Sequence, residues 1–470
     1  MKSLEIIRRF IKSNAFFELA AKEIISIFPI EVQNHLYYGK TFFHWVAFLK
    51  ESEYWDKERF ETFQFEQVKA LLVHAARHVG YYRELFVEYG FNPLTMQSLS
   101  DIKTLPYLTK ETVRDRRNDF LAEDVPQKGL IMTTIGGSTG IPLAIYKTRE
   151  NKEIEHASLL NLLTRVGYNP KKKIVSFQLG DITRRGKKKT FLRYGNNLVL
   201  SATSITSTQT NHSYYKMITT FRPEFVSGFK TVLLSFAFFM KKQGLLPLTG
   251  LKAALVYGEM IHPWQREIIE ESFGARVFSV YGMHESVVFG GECEHSYKTH
   301  LYPQIGITEL IDQRHAHWEI VGTGFSNYAM PLIRYRTMDF CTKGEHRCNQ
   351  CSRNFLLFEE IHGRMNEFLI TQDGKMLNTY MSNIASDIFR NVKQFQFYQE
   401  ELGIAYLKIV KGPAYAETDN RLIKREVDKR FNIPNNRISI TVIFVDNIEQ
   451  PPSGKTLMTD QRLDIKDFID

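Results

Sequence analysis

The stretch KAALVYGEMIHPWQREIIEESFGARVFSVYGMHE, residues 252–285, reads as a strand, a helix and a second strand. The two flanking runs are short and rich in β-forming residues, whereas the middle run repeats its apolar residues at helical spacing. The same alternation extends over residues 130–340. Further strand candidates are KKIVSFQLG, NLVLSAT, PEFVSGF and HWEIVGTGF, and further helix candidates are NKEIEHASLLNLLTRVG, HSYYKMITTF and VLLSFAFFMKKQG. This alternation predicts an α/β architecture.

The regions on either side have different patterns. Residues 1–125 read as a helical N-terminal segment, in which a helical run over 58–90 ends at Gly90 and Thr109 caps a helix after the break at Pro106. Residues 364–470 read as a small α+β domain: a hairpin (QFQFYQEELGIAYLKIVKG), a helix (TDNRLIKREVDKRFN) and a strand (RISITVIFV). We therefore divide the chain into 1–125, 126–363 and 364–470.

Composition indicates a folded protein without a membrane-spanning segment. The 470 residues are 43% hydrophobic and 24% charged. The N-terminus does not resemble a signal peptide, because charges interrupt its apolar residues. The apolar run over 232–242 is too short to cross a bilayer. A cytoplasmic enzyme is the expectation.

The formal net charge of +9 is spread along the chain. The densest basic run, ITRRGKKKTFLR at 182–193, could contact phosphates or an anionic membrane, but a solvated loop is favoured. No nucleic-acid-binding module accompanies it, so no nucleic-acid partner is predicted. A basic amphipathic helix at the N-terminus leaves open a peripheral position at the inner face of the membrane, although packing on the protein's own core is favoured.

TTIGGSTGIPLAIYKT, residues 133–148, is a loop suited to phosphate oxygens. Its three glycines allow close backbone approach, and Ser138 and Thr139 add hydroxyl donors. A Walker A loop is excluded, because Ile141 and Pro142 follow Gly140 where Lys and Ser/Thr would be needed. The spacing of a dinucleotide fingerprint is absent as well.

Five further motifs follow in order: YGE at 257–259, VYGMHE at 280–285, PLIRYRTMD at 331–339, HGRMNEFLI at 362–370 and PPSGK at 451–455. Together with the glycine loop they resemble the adenylate-forming superfamily of acyl-CoA synthetases and ligases. The branch they resemble most is that of phenylacetate-CoA ligase and CapK-like proteins. The resemblance extends over about residues 50–460. It implies a large α/β domain of the adenylate-forming type, with a helical N-terminal segment and a small α+β C-terminal lid domain.

The resemblance also implies roles for individual residues. Lys455, Glu285 and Arg364 match catalytic positions: Lys455 would bridge the carboxylate and the α-phosphate, Glu285 would help to hold magnesium, and Arg364 would contact ribose or phosphate. The nucleotide-binding positions matched are Gly137, Ser138, Thr139, Gly140, Glu259, Tyr281, Gly282, His284, Asp339 and Arg364. Of these, the 137–140 loop would hold the β- and γ-phosphates, Glu259 and Tyr281 would line the adenine pocket, and Asp339 would accept hydrogen bonds from both ribose hydroxyls.

The sequence departs from the family pattern in four places, which involve five residues. Ile135 and Gly136 stand where hydroxyl residues are frequent. His284 replaces the usual Thr of the Y-G-x-T-E element, Met338 replaces the Gly before the ribose acid, and Asn366 stands at the hinge position that is often Asp. None of these removes a charge that adenylation needs.

The chain has four cysteines, Cys293, Cys341, Cys348 and Cys351. CNQC at 348–351 is a C-x2-C pair, and CEHSYKTH at 293–300 adds two histidines; thiolates and imidazole suit tetrahedral zinc, whereas a reduced pair without metal remains the alternative. The related branch has a similar set, with the His seven residues after the first Cys. The resemblance therefore implies a structural zinc site of Cys293, His300, Cys348 and Cys351, with His295 as the alternative ligand.

The implied activity is an ATP-dependent ligase that activates a small carboxylate as acyl-AMP and transfers it to coenzyme A. ATP, magnesium, coenzyme A and structural zinc are the implied cofactors. An alternative keeps adenylation but uses a sugar amine, carrier or hydroxyl acceptor, in a CapK-like role in surface polysaccharide synthesis. Glycan-synthesis or membrane-associated partners and a homodimer are left open, and a non-catalytic scaffold is disfavoured because Lys455, Asp339, Arg364 and Glu285 are all present.

Overall fold

A computed structural model describes residues 38–135, 143–178, 182–184, 187–205, 208–261, 263–313, 317–364, 368–374, 376–378, 391–432, 437–448 and 459–463. It confirms the predicted α/β class with a small α+β unit after the large sheet. Among these residues, none of the helices combines the length and apolar character needed to cross a bilayer.

The N-terminal part is helical: α1 is Lys40–Glu51, α2 Lys57–His78, α3 Gly80–Glu88 and α4 Lys110–Asp115. Thr109 caps α4 as predicted, since its side chain accepts from the backbone N–H of Thr112. The helical run ends where predicted, since α3 stops at Glu88 and Gly90 follows with φ 59°. It is interrupted at Val79, which has an extended backbone and is fully buried. The bend lets Tyr81, two residues later, stack on Phe120 at 4.2 Å between ring centroids.

The large domain contains the elements that alternation predicted, together with strands that it did not. Its strands are β1 (Ile131–Ile135), β2 (Leu143–Lys147), β3 (Ile174–Gln178), β4 (Ile182–Arg184), β5 (Lys187–Lys189), β6 (Phe191–Tyr194), β7 (Asn197–Ser201), β8 (Phe225–Gly228), β9 (Ala253–Tyr257), β10 (Arg276–Gly282), β11 (Phe289–Glu292), β12 (Thr299–Leu301), β13 (Gly306–Gln313), β14 (His317–Gly324), β15 (Tyr335–Lys343) and β16 (Leu357–Arg364). Its helices are α5 (Arg149–Thr164), α6 (Thr208–Phe221), α7 (Lys230–Lys242) and α8 (Pro263–Phe273).

Twelve strands form one sheet, in the order β13-β14-β15-β16-β12-β11-β10-β9-β8-β3-β7-β6. Strands β7, β3, β8, β9 and β10 are parallel and form the parallel half. Strands β11 to β16 pair antiparallel and form the antiparallel half. The hairpin β1–β2 is separate from this sheet and flanks the glycine loop.

Both faces of the parallel half are covered, as expected for parallel strands. In β9, Ala254 and Val256 pack into one apolar cluster with α6, α7 and α8, whereas Ala253 and Leu255 pack into another with α1 and α5. A third cluster joins α2 and α3 to the antiparallel half. The helical segment is therefore packed into the same fold as the large sheet.

The C-terminal unit contains β17 (Phe368–Ile370), β18 (Met376–Asn378), β19 (Val392–Glu401), β20 (Ile404–Lys411), α9 (Glu417–Arg430), β21 (Ser439–Phe444) and β22 (Thr459–Gln461). Its main sheet has the order β21-β20-β19-β22, and β19 and β20 form the predicted hairpin. The turn of this hairpin contains Gly403 at φ 72°. The domain boundary at 363/364 stays a prediction.

Arg334, immediately before β15, joins three parts of the large domain. Its guanidinium donates to both carboxylate oxygens of Glu309 in β13, at 3.0 and 2.8 Å. It also donates to the backbone carbonyls of Lys103 and Leu105 in the helical segment. The residue is 4% exposed and has a positive φ of 54°. One buried side chain thus fixes the helical segment to the start of β15.

We predict that Arg334→Ala lowers the free energy of unfolding by about 3–5 kcal/mol, because Glu309 and two carbonyls lose a buried donor. Arg334→Lys should also be clearly destabilised, since an ammonium cannot reproduce the two-pronged geometry of a guanidinium. Chemical denaturation measures both effects.

The matched control is Arg83→Ala, which removes an ion pair with Glu123 whose two side chains are 44% and 59% exposed. This variant should change stability far less than Arg334→Ala. Equal losses in the two arginine variants would contradict the role assigned to Arg334.

Candidate nucleotide and metal sites

Two predicted motifs lie at the ends of neighbouring parallel strands. β9 and β10 pair in register from Ala253↔Arg276 to Tyr257↔Val280. YGE therefore leaves β9, and YGMHE leaves β10, at the same edge of the sheet. The carboxyl ends of parallel strands are where ligands bind in open α/β sheets.

Glu259 is held against the start of α7. Its carboxylate accepts from the backbone N–H of Thr231 at 2.8 Å and from the Thr231 hydroxyl at 2.9 and 3.0 Å. A carboxylate at a helix N-terminus is stabilising there, so this contact has a structural reason of its own. The predicted role of Glu259 in lining the adenine pocket stays a prediction.

Tyr281 and Asp339 meet across the sheet. The hydroxyl of Tyr281, in β10, donates to Asp339 Oδ2 in β15 at 3.0 Å. Asp339 is 9% exposed, and its backbone N–H donates to the Thr337 hydroxyl at 3.1 Å. The structure thus brings together the residue predicted to stack on adenine and the one predicted to bind ribose.

Arg364 lies on the next strand, where β15 and β16 pair Asp339 with Arg364 in register. The structure describes its backbone only, so its predicted contact with ribose or phosphate stays a prediction. Gly282 ends β10, and its missing Cβ matters because one built there would lie 3.2 Å from the Phe289 ring. His284, two residues after β10, is exposed. Its place among the nucleotide-binding residues stays a prediction.

The backbone conformation of Met338 bears on one departure from the family pattern, the Met that stands in place of Gly before Asp339. It has φ 60°, the left-handed conformation that glycine adopts without strain. A residue with a side chain therefore occupies a conformation that glycine would adopt without strain. Holding a non-glycine residue there costs on the order of 1–3 kcal/mol.

We predict that Met338→Gly leaves the free energy of unfolding within about 1 kcal/mol of the native value, because relief of left-handed strain offsets the greater chain entropy of glycine. Met338→Val should be clearly less stable than Met338→Gly, since a β-branched side chain fits a positive φ poorly. Met132 is an exposed residue of strand β1 and serves as the control. There the order should reverse: Met132→Val should be more stable than Met132→Gly, because valine favours extended backbone. Denaturation midpoints of the four variants test this; the same order at both positions would contradict it.

Glu285, the predicted magnesium ligand, is 7% exposed. The hydroxyl of Tyr335, the first residue of β15, lies 3.3 Å from Glu285 Oε1. The next residue, Ser286, has φ 59° and donates its hydroxyl to Glu155 in α5. Carboxylate oxygen is the ligand that a hard cation such as Mg²⁺ prefers, so Glu285 suits the predicted role.

Sequence reasoning missed a buried charged group beside Glu285. Lys147, at the end of β2, is fully buried and pairs with Glu155, which also accepts from Lys152 at 2.8 Å. Burial lowers the pKa of Lys147, while the carboxylates of Glu155 and Glu285 oppose that shift. Burial acts to raise the pKa of Glu155, but the two lysines outweigh it and the pKa is lowered. In the sequence, Lys147 simply ends a β-like run, and nothing there indicates that its side chain is buried.

The predicted zinc ligands Cys293, His300, Cys348 and Cys351 form one cluster, in which the four ligand atoms lie within 4.8 Å of one another. Cys293 Sγ is 4.0 Å from Cys348 Sγ, and Cys351 Sγ is 3.5 Å from His300 Nε2. Cys293 follows β11, His300 lies in β12, and the C-x2-C pair precedes β16.

The surroundings of His300 suit a metal ligand. Burial, together with the nearby cations of Arg165 and Arg353, lowers its pKa to about 3, so the imidazole is neutral at ordinary pH. Its Nδ1 is buried without a hydrogen-bond partner in the described part of the chain. His295, the alternative ligand, lies outside the cluster: its side chain is 56% exposed, and it contributes its backbone N–H to Cys293 Sγ at 3.4 Å. Cys341 is buried separately.

Several predicted residues lie outside the described residues. These are Gly136 to Gly140 of the glycine loop, the hinge residue Asn366, Lys455 and the N-terminal amphipathic stretch. Their roles stay predictions.

Comparison with known proteins tests the resemblance. Residues 369–461 match the family model of the CapK C-terminal domain. CapK of Staphylococcus aureus is 25% identical over 371 residues, covering 76% of this chain and 80% of that protein. Phenylacetate-coenzyme A ligase of Thermus thermophilus is 24% identical over 416 residues, covering 83% of this chain and 91% of that protein.

Among solved structures, a 2-hydroxyisobutyryl-CoA ligase in the postadenylation state, in complex with R3-HIB-AMP, matches with a TM-score of 0.69 and 18% identity. The match covers 88% of this chain and 91% of that one. The chain thus has the fold of the adenylate-forming CoA ligases. Its homologues include proteins named CapK and phenylacetate-CoA ligase, which confirms the predicted resemblance and the predicted enzyme class, an adenylate-forming ligase.

Proposed function

We propose that this protein uses ATP to activate a small carboxylate as acyl-AMP, and then transfers the acyl group to the thiol of coenzyme A. The observation that carries the proposal is the contact between Tyr281 and Asp339 at 3.0 Å, which joins two predicted nucleotide-binding residues from separate strands. The names of the relatives, phenylacetate-CoA ligase and 2-hydroxyisobutyryl-CoA ligase, supply the reaction class and the acceptor.

The residues would divide the nucleotide between them. Asp339 can accept hydrogen bonds from both ribose hydroxyls, because a carboxylate offers two oxygens. The hydroxyl of Tyr281 donates to Asp339, which restricts the position of the ring; an aromatic face held there would stack on adenine. The loop Gly137 to Gly140 would hold the β- and γ-phosphates through backbone N–H groups.

In the first half-reaction a carboxylate oxygen attacks the α-phosphorus, the bond from that phosphorus to the β-phosphate breaks, and pyrophosphate leaves. Such a displacement depends on positioning and on neutralising charge. Lys455 would supply a cation at the transferring phosphate. Glu285 would hold magnesium, which supplies further positive charge to the phosphate oxygens.

In the second half-reaction the sulfur of coenzyme A attacks the acyl carbon, the bond from that carbon to the AMP oxygen breaks, and AMP leaves. We propose that the C-terminal unit reorients between the two steps around Asn366. This would remove Lys455 from the reacting atoms in the second step.

A second candidate keeps the adenylation step and replaces coenzyme A by an amine or hydroxyl acceptor. Its basis is the likeness of residues 369–461 to the CapK C-terminal domain, because the resemblance to CapK-like proteins implies such an acceptor. Pyrophosphate release over a panel of carboxylates, with and without coenzyme A, separates the two candidates. Acyl-CoA formation supports the first; acyl-AMP that accumulates in the presence of coenzyme A supports the second.

We predict that Lys455→Ala loses about 10²–10³-fold in the rate of acyl-AMP formation, the usual effect of one group aimed at a transition state. It should convert supplied acyl-AMP to thioester at nearly the native rate. Asp339→Ala should instead weaken ATP binding by about 1.5–3 kcal/mol, the range for hydrogen bonds to a charged group. Single-turnover kinetics with ATP, and separately with synthetic acyl-AMP, measure these effects.

The matched controls are Lys424→Ala and Asp312→Ala, which replace exposed residues of α9 and β13 and should leave both steps unchanged. Equal damage to both steps by Lys455→Ala would contradict the reorientation. Native ATP affinity in folded Asp339→Ala protein would contradict the ribose site.

We also propose that Cys293, His300, Cys348 and Cys351 hold one structural zinc ion. Three thiolates and an imidazole complete a tetrahedral set, so that no position is left for substrate.

We predict about one zinc per chain in protein purified without chelator. Cys351→Ser should lose the metal and lower Tm, because the ligands hold two loops together. Cys341→Ala, at a buried cysteine outside the cluster, should keep the metal; metal-free native protein would contradict the site.

A further inference from the structure

A second group of potential metal ligands lies at the C-terminal end of α2, among residues that the proposed function does not use. His74 and His78 are four residues apart and therefore lie on the same face of the helix. Asp124, in the segment between α4 and β1, faces both of them. Asp124 Oδ2 is 3.8 Å from His74 Nδ1 and 3.7 Å from His78 Nε2.

The hydrogen bond made by His74 leaves its Nδ1, the nitrogen that faces Asp124, available to bind a metal ion. Its Nε2 lies 3.0 Å from the backbone carbonyl oxygen of Tyr328. A carbonyl can only accept, so Nε2 carries the proton, and in the neutral ring Nδ1 then holds the lone pair. A histidine that ligates a metal through one nitrogen while the other donates to a carbonyl is the common arrangement in metal sites.

The spacing of the three ligand atoms suits one ion. They all lie within 4.8 Å of one another. A tetrahedral ion with bonds of about 2.1 Å places its ligand atoms about 3.4 Å apart. The observed separations of 3.7 and 3.8 Å need only a small contraction, which side-chain rotation of His78 and Asp124 can provide.

The environment favours a cation and gives it access. The group lies at a helix C-terminus, where the helix dipole is negative. The side chains of His78 and Asp124 are 36% and 41% exposed, so a hydrated ion can reach them. An open groove along α2, of about 510 Å³, includes His74 and His78 in its lining.

We propose that His74, His78 and Asp124 bind one divalent transition-metal ion at a site distinct from the cysteine cluster. Two imidazoles and one carboxylate select Zn²⁺, Ni²⁺, Co²⁺ or Cu²⁺ over Mg²⁺ and Ca²⁺, which prefer all-oxygen sets. Three protein ligands leave further positions for water. The ion would join the end of α2 to Asp124 and, through His74, to the chain at Tyr328 that leads into β15.

The test titrates the full-length protein, as purified with its cysteine cluster intact, with Ni²⁺ in isothermal titration calorimetry. We expect one ion per chain at micromolar affinity. His78→Gln and Asp124→Asn should each weaken binding by at least about tenfold, since even the loss of a group that only orients a ligand costs about that much. His44→Gln, at an exposed histidine of α1 outside both clusters, should bind as the native protein does.

A second measurement shows which ligands hold the ion. Co²⁺ added to the same protein should give weak visible bands without thiolate-to-metal absorption. A strong thiolate band would put the ion at the cysteines and overturn the proposal. So would equal Ni²⁺ affinity in the native protein and both variants, or no Ni²⁺ binding at millimolar concentration. Because neither measurement depends on adenylation, failure here leaves the proposed function untouched.

Discussion

The buried guanidinium of Arg334 is the contact on which the geometry of the candidate site depends. Its bonds to Glu309, Lys103 and Leu105 fix the chain immediately before β15 on one side to the sheet and on the other to the helical segment. Its own backbone N–H donates to the Thr323 hydroxyl, and its carbonyl accepts from Leu108. A guanidinium is suited to this position, because its donors make four hydrogen bonds in different directions, two to the Glu309 carboxylate and two to backbone carbonyls.

Strand β15 follows Arg334 directly and carries two residues that contact the candidate nucleotide site. Tyr335 at its start contacts Glu285, and Asp339 in its middle accepts from Tyr281, so that two residues of the VYGMHE motif contact the same strand. The neighbouring Arg336 holds β15 to β14 through a two-oxygen contact with the fully buried Glu319. Polar contacts between strands thus align residues that are distant in sequence.

The sequence predicted the elements whose pattern is local. Strands β3, β7, β8, β9, β10 and β14 and the helices between them follow from apolar spacing, and the nucleotide and cysteine motifs follow from residue order. The break at Val79 could not be predicted, because the residue continues the helical pattern and leaves the helix only when α3 packs its aromatic rings on Phe120. The same holds for the pairing of Lys147 with Glu155 and of Glu259 with Thr231. These contacts arise from tertiary packing, on which a single sequence carries no signal. Met338 lies between these two cases. The sequence shows that Met stands where the family has Gly, but only the structure shows that the residue has a left-handed backbone.

The cysteine cluster lies within the antiparallel half of the sheet, at the short pairing of β12 with β16. β12 and β16 pair over only two residues, Thr299 with Phe358 and His300 with Leu357. Through that short pairing the strands bearing Asp339 and Arg364 connect to the strands bearing Tyr281. The cluster gathers the turn before β12 and the loop before β16 at this junction. By holding these two segments together, the four side chains support the short pairing through which Asp339 and Tyr281 are aligned across the sheet.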